Sequence, residues 1–124
     1  YAVEREQFGL PLAQKQAIQF MIADMAAEIE ALRSLVYRTA WMVDTHQPFS
    51  REAAMIKYYG SEIASRCIDR AVQIHGMVGL TRGVGVERGY RDARISEIFE
   101  GTNEICRIVV ASDILRRAGV RISP

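Results

Sequence analysis

Ile18, Ile22, Met25, Ile29, Leu32, Val36, Thr39 and Val43 follow one another in steps of four and three without a break. Such steps keep side chains on one face of an α-helix. The spacing predicts a helix from about Leu12 to His46, because Pro11 suits an opening turn and Pro48 cannot continue one. At about 1.5 Å per residue it is roughly 50 Å long. Glu28, Arg33 and Arg38 fall off the apolar stripe. A helix of this length and pattern suits an antiparallel bundle in which neighbours cover the stripe.

A second helix is expected from Ser50, a good N-cap residue with Glu52 in the first turn, to the glycines at 76 and 79. Ala53, Ile56, Gly60, Ile63, Cys67, Ala71 and Ile74 share one side of it. Small residues in its middle (Ala54, Gly60, Ser61, Ala64, Ser65) suit close packing of another helix. A Gly-rich connection spans residues 76 to 85. A short polar helix follows around Val86 to Ala93, and a last helix opens at Thr102 and runs to about Arg117, with Ile105, Ile108, Val109, Ser112 and Leu115 inward. No β-period, internal repeat or low-complexity tract interrupts this all-α reading. Tyr1 to Phe8 reads like the tail of a helix whose beginning is missing, so the chain reads as a single-domain excised fragment.

Sixteen basic and fifteen acidic residues leave a net charge of +1, and no global field would draw the chain onto nucleic acid. No apolar run approaches the ~20 residues of a spanning helix. Cys67 and Cys106 form no CxxC pair and have no His at ligand spacing, so no metal site is expected; two buried thiols are.

Chemistry is carried by four short stretches: Arg5-Glu6-Gln7-Phe8-Gly9, Gln73-Ile74-His75-Gly76-Met77-Val78-Gly79, Glu87-Arg88-Gly89-Tyr90-Arg91-Asp92-Ala93-Arg94-Ile95, and Ile98-Phe99-Glu100-Gly101-Thr102-Asn103-Glu104-Ile105. Each alone has a structural explanation; Glu100 alone reads as a solvated helix-entry charge. In this order and spacing the chain resembles the acyl-CoA dehydrogenase family, most specifically at Tyr90-Arg91-Asp92-Ala93-Arg94 ahead of Phe99-Glu100-Gly101-Thr102. The resemblance covers essentially the whole chain but only the carboxy-terminal four-helix bundle of such enzymes, with the first bundle helix largely missing and the amino-terminal helical and middle β domains absent.

The resemblance makes Glu100 the base that takes the α-proton of an acyl-CoA thioester, with Phe99, Glu100 and Gly101 at the substrate. FAD would accept hydride from the β-carbon, leaving a trans-2-enoyl thioester. Ile98 and Phe99 offer an apolar frame in which a carboxylate, losing water, becomes a stronger base. The Glu100 backbone N–H would bond the thioester oxygen. By the same resemblance Arg5, Gln7 and Phe8 would contact the flavin dinucleotide of a neighbouring subunit, and Gln73, Gly76 and Met77 the adenosine-diphosphate part of it. Thr102 and Glu104 would touch the cofactor of their own subunit. The implied partners are acyl-CoA, an electron-transferring flavoprotein, and further copies in a homotetramer or dimer. The implied location is cytoplasmic in a bacterium and the mitochondrial matrix in a eukaryote.

Met77 stands where many relatives have a second Gly, Gly83 and Gly85 where they often have a bulkier residue and a Pro, and Phe99 where Tyr is common. An acyl-CoA oxidase would share fold and base, and the fragment alone would be an inactive FAD-binding or assembly module. His46 and His75 have no catalytic partner at fixed spacing and read as capping or packing residues. Trp41, Tyr58 and Tyr59 read as bundle core, and Arg116-Arg117 as a solvated helix end.

Overall fold

A computed structural model describes residues 1–122. A hairpin of β1 (Glu6–Gln7) and β2 (Leu10–Pro11) leads through a 3-10 turn into α1 (Gln16–Asp44), α2 (Ser50–His75), α3 (Val86–Ser96) and α4 (Asn103–Arg117). The helical limits lie within a few residues of those read from periodicity, and the chain is an all-α bundle with a minimal sheet. The central element is α2, on which α1, α3 and α4 all pack. Its Ile63, 2% exposed, is the most enclosed apolar side chain. Burying it contributes about 1.5–3 kcal/mol. Gly60 brings α1 close, since a Cβ there would stand 3.3 Å from the Leu32 side chain. Gly76, at φ +58° and ψ −137°, stops α2 in a conformation that L side chains rarely adopt. The 3-10 segment Gly76–Leu80 then folds back under the helix end.

The amino terminus departs from expectation. Residues 1–8 are not a helix tail: the amides of Glu4 and Arg5 both donate to the Tyr1 carbonyl in a turn, and the chain then reverses as a hairpin with Gln7 opposite Leu10. The cause is at the tip, where Phe8 and Gly9 both have positive φ, +55° and +75°. Consecutive left-handed residues give a two-residue turn whose twist suits antiparallel strands.

Two helix faces are also rotated from the predicted ones. On α1 the covered row includes Met21, Met25, Leu35, Thr39 and Met42, while Ile22, Ile29, Val36 and Val43 remain exposed. Glu28, read as off the stripe, faces α2: its carboxylate accepts from Arg66 Nε and Arg70 Nη1, both at 2.9 Å. These ion pairs and the Leu32–Gly60 contact fix the rotation of α1. On α4 the buried residues are Asn103, Cys106 and Val110, while Ile105, Ile108, Val109 and Leu115 are exposed. Cys106 and Val110 supply the apolar part of that face, and Asn103 adds hydrogen bonds to Lys57 and Ser61 of α2.

Smaller corrections follow from the same packing. The N-cap of α2 is Phe49 rather than Ser50, and no side chain caps that end. Trp41 is exposed rather than core, while Tyr58 and Tyr59 are half-buried. Cys106 is buried, but Cys67 only partly. His46 has the capping role expected of it, with φ +56° and the next amide, Gln47, donating to the Met42 carbonyl at 2.8 Å. His75 packs: its ring stacks on Tyr1 at 4.4 Å and Nδ1 lies 2.8 Å from the Ala71 carbonyl. Among the described residues no helix is long and apolar enough to cross a membrane, and no group of three or more acidic, His or Cys side chains could hold a metal.

Candidate active site

The predicted site residues fall into two clusters. The first lies where the hairpin meets the end of α2. Arg5, Gln7, Gln73, Gly76 and Met77, more than seventy positions apart at the extremes, line one cleft of about 440 Å³. The Leu12 amide donates to the Arg5 carbonyl and the Ala13 amide to the Ala2 carbonyl, both at 2.8 Å, which closes the amino-terminal segment on itself, and Tyr1 ties it to the helix end by stacking on His75 at 4.4 Å and donating its hydroxyl to the His75 carbonyl at 3.4 Å. The cleft offers a guanidinium, two carboxamides and a glycine backbone without a side chain above it, donors suited to phosphate and sugar oxygens. Met77 lines this cleft with most of its side chain open to solvent, 77% exposed. Phe8 does not line the cleft; it stands at the hairpin tip, 97% exposed, with only Lys15 Nζ near its ring at 5.9 Å.

The second cluster lies between α3 and α4. Ile98 and Phe99 amides bond back to the Ile95 carbonyl, and the Asn103 amide donates to the Glu97 carbonyl at 3.0 Å, closing a short excursion that contains Glu100 and Gly101. Glu100 has φ +54° and Gly101 +91°. A left-handed non-glycine residue costs about 1–3 kcal/mol and persists only where its surroundings over-determine it. The side chain of Glu100 is exposed. The apolar frame expected around it is open, since Ile98 and Phe99 are 55% and 48% exposed. Among the described residues nothing encloses the Glu100 carboxylate.

Thr102 is the N-cap of α4, and Glu104 sits in the first turn. The Glu104 carboxyl is held below the usual range by its own backbone N–H and by the Thr102 hydroxyl. Neither side chain lines the hairpin cleft. Around them stands a network not foreseen from sequence. Asn103, 3% exposed, accepts at Oδ1 from Lys57 Nζ and Ser61 Oγ, both at 3.0 Å. Glu62 binds Arg107, whose guanidinium lies 4.9 Å from the Tyr58 ring centre. Ser65 donates to the Glu97 carboxylate. Ser61 and Ser65 read in the sequence only as small residues, and their partners lie 42 and 32 positions away. No local signal could have paired them.

Comparison with known proteins identifies the family. The family model described as acyl-CoA dehydrogenase, C-terminal domain, matches residues 1–115. A probable acyl-CoA dehydrogenase of Bacillus subtilis, YngJ, is 50% identical over 116 residues, covering 94% of this chain and 30% of that protein. Butyryl-CoA dehydrogenase from Megasphaera elsdenii superposes with a TM-score of 0.91 at 43% identity, and a chain in the structure of the electron transferring flavoprotein of Acidaminococcus fermentans does so with 0.91 at 46%. Each superposition covers 94% of this chain and 30% of the other. The chain therefore spans about a third of the length of the relatives it matches. The match of the family model over residues 1–115, with relatives and superposed structures of 43–50% identity, places this chain in the acyl-CoA dehydrogenase family, where it corresponds to the carboxy-terminal domain.

Proposed function

We propose that this chain is the carboxy-terminal part of an FAD-dependent acyl-CoA dehydrogenase that converts acyl-CoA thioesters to trans-2-enoyl-CoA, with Glu100 as the base. The observation that carries the reading is the strained reversal itself: a carboxylate side chain presented to solvent on a left-handed residue, with Gly101 beside it leaving room for a substrate. A Cβ on Gly101 would meet nothing nearer than Ile105 Cγ2 at 4.0 Å.

In this reading the Glu100 carboxylate takes the proton from the α-carbon, and the N–H of Glu100 donates to the thioester carbonyl oxygen as negative charge builds there. Phe99 and Ile98 shed water when the acyl chain covers them, which strengthens the base. Bound FAD supplies the acceptor for the hydride that leaves the β-carbon. The cleft at the end of α2 fits a dinucleotide: Arg5 would pair with pyrophosphate oxygens, Gln7 and Gln73 would donate to ribose or phosphate, and Gly76 lets a backbone approach closely. Phe8, with almost its whole ring exposed, would cover an aromatic ring of the cofactor in a second copy of the chain. Thr102, as the N-cap residue, would hold the cofactor at the mouth of α4.

A homotetramer or dimer follows from the cleft serving a neighbouring copy, and an electron-transferring flavoprotein is the acceptor that the resemblance to the Acidaminococcus fermentans structure favours. By analogy with the family, the location is the bacterial cytoplasm or the mitochondrial matrix. The test is anaerobic addition of butyryl-CoA to the FAD-loaded protein. Bleaching of the flavin that is abolished in Glu100→Gln, with FAD content unchanged, is the expected outcome. Undiminished bleaching in the variant refutes the assignment.

A further inference from the structure

We propose that Asn103, locked by Lys57 and Ser61 of α2, is a positioning residue that sets the direction of the Glu100 side chain. The proposal rests on the reading of Glu100 as the base and adds a residue through which the base is aimed. The segment from Glu97 to Asn103 leaves α3 and enters α4 with no helical hydrogen bonds across its middle, so its geometry is fixed at its ends. Both ends are tied to one face of α2. At the first, the Glu97 carboxylate accepts from Ser65 Oγ and from Arg94 Nη1. At the second, Asn103 Oδ1 accepts from Ser61 Oγ and Lys57 Nζ at 3.0 Å each, and Asn103 Nδ2 points to the Tyr58 carbonyl at 3.4 Å. Ser61 and Ser65 are four residues apart on a continuous helix, hence one turn apart on the same face. The backbone bond from Asn103 N to Glu97 O then joins the two anchors to each other.

The amide orientation follows from chemistry. Lys57 has only donors, so the oxygen of Asn103 must face it and the NH2 group must turn toward the Tyr58 carbonyl. An apolar residue at 103 would fill a similar volume with no polar group of its own to satisfy, and although Lys57 would lose this acceptor, Ser61 Oγ also reaches the Tyr58 carbonyl at 2.9 Å, so packing alone does not call for this amide. What the amide adds is direction. A charged donor and a hydroxyl converge on one oxygen, three residues after a carboxylate held at φ +54°. Loss of the lock lets the reversal relax toward an ordinary conformation and turns the carboxylate away from the α-carbon. A displacement of about 1 Å at a reacting group costs about a hundredfold in rate.

The experiment uses the FAD-loaded protein that carries this chain, with butyryl-CoA as the reductant and crotonyl-CoA as a ligand whose binding needs no proton transfer. Asn103→Leu should slow anaerobic bleaching at saturating butyryl-CoA by about ten- to a hundredfold. Its Kd for crotonyl-CoA and its FAD content should stay within about twofold of wild type, because neither depends on proton removal. Lys57→Met, which leaves Asn103 in place, should slow bleaching by a smaller factor, and Lys57→Arg, which restores a charged donor, should recover most of it. If Asn103→Leu fails to fold, the Lys57 pair decides alone. Bleaching at the wild-type rate in Asn103→Leu and Lys57→Met, or a parallel loss of crotonyl-CoA binding, overturns the positioning role while leaving Glu100 as the base. Wild-type protein that butyryl-CoA does not bleach, or Glu100→Gln bleached as fast as wild type, removes the base itself and the inference with it.

Discussion

The carboxylate of Glu52 offers the sharpest test of the packing. It is 2% exposed, and among the described residues Arg51 is its one cation within 4 Å, placing Nε at 3.0 Å and Nη2 at 2.5 Å from Oε1. Burial pushes the Glu52 carboxyl up, but the Arg51 hydrogen bonds, its own backbone N–H, and the charges of Arg51 and Arg38 together hold it below the usual carboxylate range. Replacing Arg51 with Met removes the partner and leaves a buried charge, a change that costs about 3–5 kcal/mol. One feature sets the value at the lower end. Glu52 lies in the first turn of α2, where the helix dipole still favours a negative charge. Arg51 also reaches Asp113 at 3.4 Å, but that pair is partly exposed and worth under about 1 kcal/mol, and Asp113 keeps Arg117 at 2.8 Å.

A loss of about 3 kcal/mol is roughly a hundredfold fall in amide protection. Native-state hydrogen exchange of the first turns of α2, measured in the holoprotein at pH 7, reads it directly. Adding Glu52→Gln to Arg51→Met should recover more than half of the loss, since no charge then needs a partner. The pH dependence has a definite sign. In the native pair the folded carboxyl lies below its unfolded value, so its contribution is complete above the unfolded pKa of about 4.3 and fades as pH falls through the folded one. In Arg51→Met burial acts without its main opponent, so the penalty is largest at neutral pH and shrinks on acidification. The gap between wild type and variant must therefore narrow from pH 7 toward pH 4. A loss below about 1 kcal/mol at pH 7, or a gap that widens in acid, contradicts the burial described.

Gly79→Ala should cost about 1–3 kcal/mol, because its new carbon would stand 2.9 Å from His75 Cβ and 3.0 Å from the Val72 carbonyl oxygen, whereas Gly89→Ala meets only the mobile end of Ile68 and should cost less. Thermal melts that rank the two the other way refute this. Burial first, then the Glu28 carboxylate, push the Cys67 thiol up against the opposing charges of Arg70 and Arg66. Iodoacetamide at pH 7.5 should accordingly modify it at least ~10-fold more slowly in folded than in urea-unfolded protein, and equal rates would contradict that. Phe8→Ala should loosen FAD about tenfold in a dialysis assay with the helical circular dichroism unchanged, given how little of this chain the ring touches; undisturbed retention removes the ring from the cofactor site.

The sequence was most legible where a signal is periodic or local. Helix positions followed from the four-and-three spacing, Pro11 and Gly76, and the order of the four motifs pointed to the family that the whole-chain match then established. Orientation was less legible, because period alone does not say which flank of a broad apolar stripe meets a neighbour. On α1 the choice was made by Glu28 with Arg66 and Arg70, partners 38 and 42 positions apart. On α4 the buried row begins with Asn103, which carries no apolar signal. Glu52 read as an ordinary first-turn charge, and only the packing of α4 and α1 against the start of α2 turns it into a buried ion pair. The hairpin left one local trace, a Gly after Phe8, too weak a cue without the Asn or Asp that usually marks such turns.

The central claim is that Glu100 removes the α-proton, and deuterium uptake reads that step without reference to flavin colour. The holoprotein is incubated anaerobically with butyryl-CoA in D2O, and label at C2 of the recovered thioester is quantified by mass spectrometry. The account predicts uptake with wild-type protein, a fall of a hundredfold or more in Glu100→Gln, on the order of a lost general base, and unchanged binding of crotonyl-CoA. Uptake in Glu100→Gln equal to that of wild type would contradict it.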